Sequence, residues 1–281
     1  MRADGFKLVN MTATSLRTAP NTEPPRLKPV VRLTHISKRF ANGTLAVQDF
    51  NFAFPQHGFI SLLGPSGCGK STVLRMIAGL SRPSSGTLEW TRDSVVADKP
   101  RRELGFVFQE PTLMPWATAL RNVMLPLKLA GVPKAEARER AVAALAQVGL
   151  AGFENAYPRQ LSGGMKMRVS IARAIVERPR VLLMDEPFAA LDEFTRFRLN
   201  KDLLRLWQEN SFTVVFVTHS VFESVFLSQH VLLMAARPGR VMARVPIEAP
   251  YPRDEAFRTS TLYNECCREV HQLLGEANAN D

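Results

Sequence analysis

One run, Gly64-Pro65-Ser66-Gly67-Cys68-Gly69-Lys70-Ser71, has the residue types and spacing of a loop that grips phosphate. Its glycines let backbone N–H groups curl around phosphate oxygens where side chains would intrude. Lys70 supplies a mobile positive charge for the outer phosphates of a nucleotide, and the Ser71 hydroxyl can ligate Mg2+. Thr72 follows in the first turn of a predicted helix whose dipole points its positive end at the same anion. The flanks suit this chemistry. Phe59–Leu63 is an apolar run that reads as a buried strand, and Val73, Met76, Ile77 and Leu80 recur at helical spacing after the loop.

Three further apolar runs end in residues suited to phosphoryl transfer. Leu104–Phe108 leads into Gln109, Val181–Met184 into Asp185 and Glu186, and Thr213–Val217 into Thr218 and His219. An acid closing a buried strand can hold Mg2+ directly or through water, which is the role read for Asp185. Glu186 is then free to orient and polarise an attacking water. Gln109 can sense water, metal or the outer phosphate, and His219 can donate to that phosphate. Each has a plainer reading alone: a helix-start acid pair, a structural histidine, a solvated loop glutamine. Their shared position at strand ends, beside a complete phosphate loop, favours the catalytic reading.

Four buried strands alternating with helices predict an α/β fold with a mostly parallel sheet covered on both faces. Ahead of them, Val30–Phe54 alternates apolar and polar residues about Asn42-Gly43 and predicts an antiparallel ribbon. Phe40 in that ribbon suits either stacking on a purine or an ordinary core position. Pro111, Pro115, Pro126 and Pro133 predict that no regular element begins until the last of them, after which Ala137, Ala141, Ala144, Leu145 and Val148 form an apolar helical stripe. Leu161-Ser162-Gly163-Gly164-Met165 opens another helix that Pro179 ends, and a helix is predicted from about Phe194 to Gln208 and over residues 254–274.

The whole chain bounds the function classes. Of 281 residues, 46% are apolar and 22% charged, a composition that fits a packed globular protein. A net charge of +10 implies anionic partners, which nucleic acid, an acidic membrane surface and nucleotide phosphates would all satisfy. No apolar run reaches the roughly 18 residues a membrane span requires. Residues 1–28 lack the apolar core of a secretory signal and read as a flexible tail. Cys68, Cys266 and Cys267 form no metal or disulfide pattern, as expected of reduced thiols in a cytosolic protein.

Across about residues 30–240 the chain resembles the nucleotide-binding subunit of ABC transporters. The resemblance rests on the phosphate loop, Gln109, the Leu161–Met165 signature, the Asp185-Glu186 pair, Ala190-Leu191-Asp192 and His219. Three stretches, Val107–Trp116, Asp185–Asp192 and Ala236–Arg240, are similar to the nitrate/sulfonate/taurine group of bacterial importers, which includes carriers of thiamine-precursor pyrimidines. The family implies a P-loop NTPase core of RecA-like type with an antiparallel β subdomain and a helical signature subdomain. The corresponding division is a tail at 1–28, an ATPase domain at 29–240 with the helical subdomain at about 111–175, and a mostly helical extension at 241–281. It implies ATP and Mg2+ as ligands, Phe40 at the adenine, and metal contacts from Ser71, Gln109 and Asp185. Glu186, His219, Gln109 and Lys70 are the implied catalytic group. Ser162, Gly163, Gly164 and Asp192 would complete the nucleotide site of a second copy of the chain.

The implied protein energises nutrient uptake as a homodimer under a membrane permease, on the cytoplasmic face of the bacterial inner membrane, with a periplasmic binding protein upstream. Met165 stands where many members carry Gln, and Phe40 where many carry Tyr; the Ser-Gly-Gly core and the aromatic ring are kept. An exporter ATPase is the near alternative. A DNA-associated ABC ATPase would suit the charge, but no heptad run separates Lys70 from Asp185, and no nucleic-acid partner is expected. A catalytically dead nucleotide sensor is disfavoured because Glu186 and His219 are both present.

Overall fold

The computed structural model describes residues 28–91 and 103–279, so the tail expected at 1–28 lies outside the described residues apart from Lys28. In chain order the elements are β1 (Pro29–Arg39), β2 (Leu45–Pro55), β3 (Phe59–Leu63), α1 (Lys70–Ile77), β4 (Ser85–Trp90) and β5 (Leu104–Val107). Then come α2 (Ala119–Leu129), α3 (Lys134–Gln147), α4 (Gly163–Ile175), β6 (Val181–Asp185), α5 (Glu193–Asn210) and β7 (Thr213–Thr218). The chain closes with α6 (Val221–Leu227), β8 (His230–Ala235), β9 (Arg240–Pro246), α7 (Glu255–Arg258) and α8 (Thr261–Ala279).

Two sheets result. The smaller is antiparallel, in the order β2-β1-β4, and contains the ribbon expected about Asn42-Gly43. The larger runs β5-β6-β7-β3-β8-β9 and is parallel except for β9. Its central strands are buried on both faces, which is why their sequences are continuous apolar runs rather than alternating ones. Successive side chains enter different cores. Phe59 and Leu63 of β3 join Val214 and Phe216 of β7 on the face covered by α2 to α6 and α8, whereas Ile60 and Leu62 join Val215 and Val217 against α1 and the antiparallel sheet.

Parallel register aligns the carboxyl ends. Leu63 lies opposite Thr218, Val217 opposite Asp185, and Met184 opposite Val107. The residues that follow these strands therefore share one rim, the edge where open α/β sheets build ligand sites.

Two expectations need correction. The prolines between 111 and 133 do not exclude a helix, because α2 runs straight through Pro126. Interior proline costs about 3 kcal/mol. Leu120, Val123 and Leu127 are buried by the helix, and each such side chain contributes about 1.5–3 kcal/mol, so packing wins. The fully buried Asn122 side chain also fastens the helix start, accepting from the Met114 N–H and donating to the carbonyls of Ala117 and Thr118. Likewise, the core sheet does not end at 240. β9, in the segment expected to be a mostly helical extension, pairs antiparallel with β8, and the Pro238-Gly239 turn closes their hairpin.

Candidate functional site

The phosphate loop lies wedged between two strands. Gly69 has φ +90°, and a Cβ there would approach the Ala46 carbonyl oxygen to 2.6 Å. A Cβ on Gly64 would reach 2.4 Å from the Met234 carbonyl oxygen. Both positions exclude any side chain, so the loop backbone faces the rim unobstructed. Cys68 is fully buried beneath it, and that burial pushes its thiol pKa up, which suits packing rather than reactivity. Pro65, Ser66 and Gly67 form the outer part of the loop, and Ser71 and Thr72 open α1 behind Lys70.

Lys70 is only 4% exposed, and its Nζ donates to the carbonyls of Gly64 and Pro65, both at 2.8 Å. The Glu186 carboxylate is 3.9 Å from that ammonium and, on its other oxygen, 3.2 Å from His219 Nδ1. Glu186 thus stands between the loop lysine and the histidine that follows β7. Its backbone has φ +46°, an unfavourable conformation for a residue with a side chain, and is held there by donating its N–H to the Val217 carbonyl at 3.0 Å. Strain of this kind gathers at functional positions.

Ser71 Oγ donates to Asp185 Oδ1 at 2.6 Å. Burial raises the Asp185 pKa, and the bond from Ser71 opposes that rise. A hydroxyl and a carboxylate meeting at a phosphate loop are hard oxygen donors of the kind Mg2+ takes. Among the described residues, no group of three or more His, Cys, Asp and Glu could hold a metal ion. An ion at Ser71 and Asp185 would therefore draw its other ligands from water and phosphate, as Mg2+ commonly does.

Gln109 sits exposed just beyond β5, next to the β6 end. Phe40 is 44% exposed at the tip of the ribbon, with Lys38 Nζ 5.5 Å from its ring centre. Exposure removes the core-aromatic reading of Phe40 and leaves its ring free to stack.

The Ser-Gly-Gly signature occupies a different place. Ser162 caps α4, its Oγ accepting from the Met165 N–H at 3.3 Å, and Gly163 and Gly164 form the first turn. Gly164 lies against Thr195 so closely that a Cβ would come within 2.7 Å of it. Ser162, Gly164, Met165, Arg168 and Thr195 line a groove of about 450 Å3, to which no residue of the Gly64–Ser71 loop contributes. Asp192 is exposed and caps α5, accepting from the Thr195 N–H at 3.0 Å, and this bond holds its carboxyl below the usual range.

One cluster escaped sequence reading. Glu223 in α6 is 8% exposed, accepts from Thr218 Oγ1 at 2.5 Å, and stands 3.9 Å from Arg196 Nε. A sequence signal existed: Ser220-x-x-Glu223 ahead of an apolar run is a capping-box pattern. Ser220 does cap α6, accepting from the Glu223 N–H at 3.3 Å. The Glu223 side chain, however, turns to Thr218.

A family profile described as ABC transporter matches residues 47–189. A taurine import ATP-binding protein of Rhizobium johnstonii is 44% identical over 241 residues, spanning 84% of this chain and 91% of its own. An aliphatic sulfonates import ATP-binding protein of Bacillus cereus is 40% identical over 245 residues, 86% of this chain and 94% of its own. Among solved structures, an ATP-binding cassette described as dimeric in a post-hydrolysis state bound to ADP and Pi matches with a TM-score of 0.68 and 34% identity, over 78% of this chain and all of its own.

Proposed function

The chain belongs to the ABC transporter family as an ATP-hydrolysing subunit, and from that premise we propose that it drives import of a small organosulfonate of the taurine or aliphatic sulfonate class. It does so beneath a membrane permease that a separate binding protein loads. The substrate class rests on the two import relatives. Among the described residues, no helix is long and apolar enough to cross a membrane.

The observation that carries the catalytic reading is Glu186 poised between Lys70 at 3.9 Å and His219 at 3.2 Å, on the rim where Ser71 meets Asp185. Loop amides from Gly64 to Thr72 and the Lys70 ammonium bind the outer phosphates, and Phe40 stacks on the adenine. Glu186 orients the attacking water and takes its proton as the water oxygen bonds to the terminal phosphorus; the bond from that phosphorus to the bridging oxygen breaks, and ADP leaves with the electron pair. His219 donates to a terminal phosphate oxygen, and Gln109 reports on the water. Ser71 and Asp185, with Gln109 beside them, would hold Mg2+, which when bound would supply positive charge against the phosphates.

The site is composite. The separation of the signature groove from the chain's own phosphate loop supports a homodimer in which Ser162, Gly163, Gly164 and Asp192 complete the partner's site. Residues 111–175, containing α2, α3 and α4, form the helical subdomain that meets the permease at the cytoplasmic face of the membrane.

Glu186→Gln tests this reading. ATP binding should persist while steady-state hydrolysis falls by about a hundredfold or more, as for loss of a catalytic base. Cells lacking the protein should fail to grow on taurine or an alkanesulfonate as sole sulfur source, with wild type restoring growth and Glu186→Gln not. Full hydrolysis by the variant would remove Glu186 from its role.

A further inference from the structure

We propose that Glu223 is a positioning residue for ATP hydrolysis, joining the backbone around His219 to the Leu191-Asp192 segment through Thr218 on one side and Arg196 on the other. The inference rests on the reading that His219 and Asp192 serve the nucleotide.

Both neighbours of His219 are tied to Glu223. Thr218 Oγ1 donates to Glu223 Oε2 at 2.5 Å, and the same hydroxyl oxygen accepts from the Ser220 N–H at 3.0 Å. Ser220 Oγ in turn accepts from the Glu223 N–H at 3.3 Å. His219 itself is 54% exposed and receives no packing comparable to that of β7. These three bonds tie the residues on either side of His219, and the ring itself contacts Glu186 at 3.2 Å. The other carboxylate oxygen of Glu223 faces Arg196 Nε at 3.9 Å, and Arg196 Nη2 donates to the Leu191 carbonyl at 2.8 Å. Glu223 thus bridges two segments 27 residues apart in sequence (Leu191 to Thr218), one at the chain's own nucleotide rim and one proposed to serve the partner's site.

A merely stabilising role accounts poorly for these groups. Burial raises the pKa of Glu223, and the bond from Thr218 and the charge of Arg196 oppose that rise. A buried ion pair of this type is weak evidence of stability, since apolar replacements often do as well. The joint is also braced from outside. Arg258 in α7 donates to Glu193 Oε1 at 2.8 Å and stacks on Phe197, while the Tyr263 hydroxyl of α8 donates to the Phe222 carbonyl at 3.0 Å. The C-terminal helices hold α5 and α6, the two helices that Glu223 joins from within.

Thr218→Val and Thr218→Ser in the full-length protein separate positioning from packing, because valine keeps the shape and serine keeps the hydroxyl. With Mg2+-ATP hydrolysis as the readout, Thr218→Val should lower kcat by between about tenfold and a hundredfold, the range for small misplacements of a reacting group. KM for ATP should stay near wild type, the loss of kcat should persist at temperatures where the variant is fully folded even though stranding the buried carboxylate lowers its thermal midpoint, and Thr218→Ser should restore kcat. Glu223→Gln and Arg196→Met should each lower kcat, with the double variant no worse than the poorer single one. Wild-type kcat in Thr218→Val would overturn the proposal. So would a loss of kcat that only tracks a loss of folded protein, or single effects that multiply in the double variant. Absence of hydrolysis by the wild type would instead sink the catalytic reading itself.

Discussion

At the scale of single residues, two short contacts cross the sheet rim, Ser71 to Asp185 and Glu186 to His219. The first joins a hydroxyl to a carboxylate, the two oxygen donors proposed to hold Mg2+. Ser71→Ala leaves the phosphate loop intact and removes one oxygen donor. It should raise the Mg2+ concentration for half-maximal hydrolysis by about tenfold or more, measured by titrating Mg2+ at saturating ATP; an unchanged Mg2+ requirement would exclude Ser71 as a ligand. These residues were legible in the sequence because each follows an apolar strand or lies within one contiguous motif. Glu223 and Arg196 were not, because what they do depends on which helices the fold brings together. Their ion pair spans residues on α5 and α6, and no local spacing announces it.

At the scale of elements, the parallel core was readable from uninterrupted apolar runs, since strands buried on both faces leave no alternation to obscure them. Elements whose formation depends on tertiary packing were harder. α2 violates the local rule against interior proline and survives because it buries apolar side chains, and β9 was masked by the turn that makes it a hairpin. The C-terminal extension depends on one buried cation in the same way. Arg253 is 4% exposed and donates to the carbonyls of Val225, Phe226, Ser228, Ile247 and Ala249, with its guanidinium 4.2 Å from the Tyr251 ring centre. It occupies the C-terminal end of α6, where a cation is favoured by the helix dipole. Arg253→Met keeps the bulk and strands those carbonyls, so it should destabilise the protein by about 2–4 kcal/mol. A thermal midpoint lowered by about 5–10 °C is the expected reading in a melting experiment; a midpoint unchanged from wild type would show that water replaces the guanidinium without loss.

At the scale of the molecule, the distribution of motifs matters more than any one of them. The phosphate loop, Asp185, Glu186 and His219 share a rim, while Ser162 and Gly164 open onto a groove of their own. In the proposed homodimer one chain would supply a different half to each of two sites, and the net charge of +10 is available for phosphates and an anionic membrane surface. Closure of two chains on ATP is the step that would move a permease, and hydrolysis would reset it. The sedimentation of the Glu186→Gln chain measures this directly. With Mg2+-ATP it should sediment as two chains and with ADP as one, and adding Ser162→Arg should return it to one chain although ATP still binds. A Glu186→Gln chain that binds ATP yet remains single, or a dimer indifferent to Ser162→Arg, would contradict the composite site.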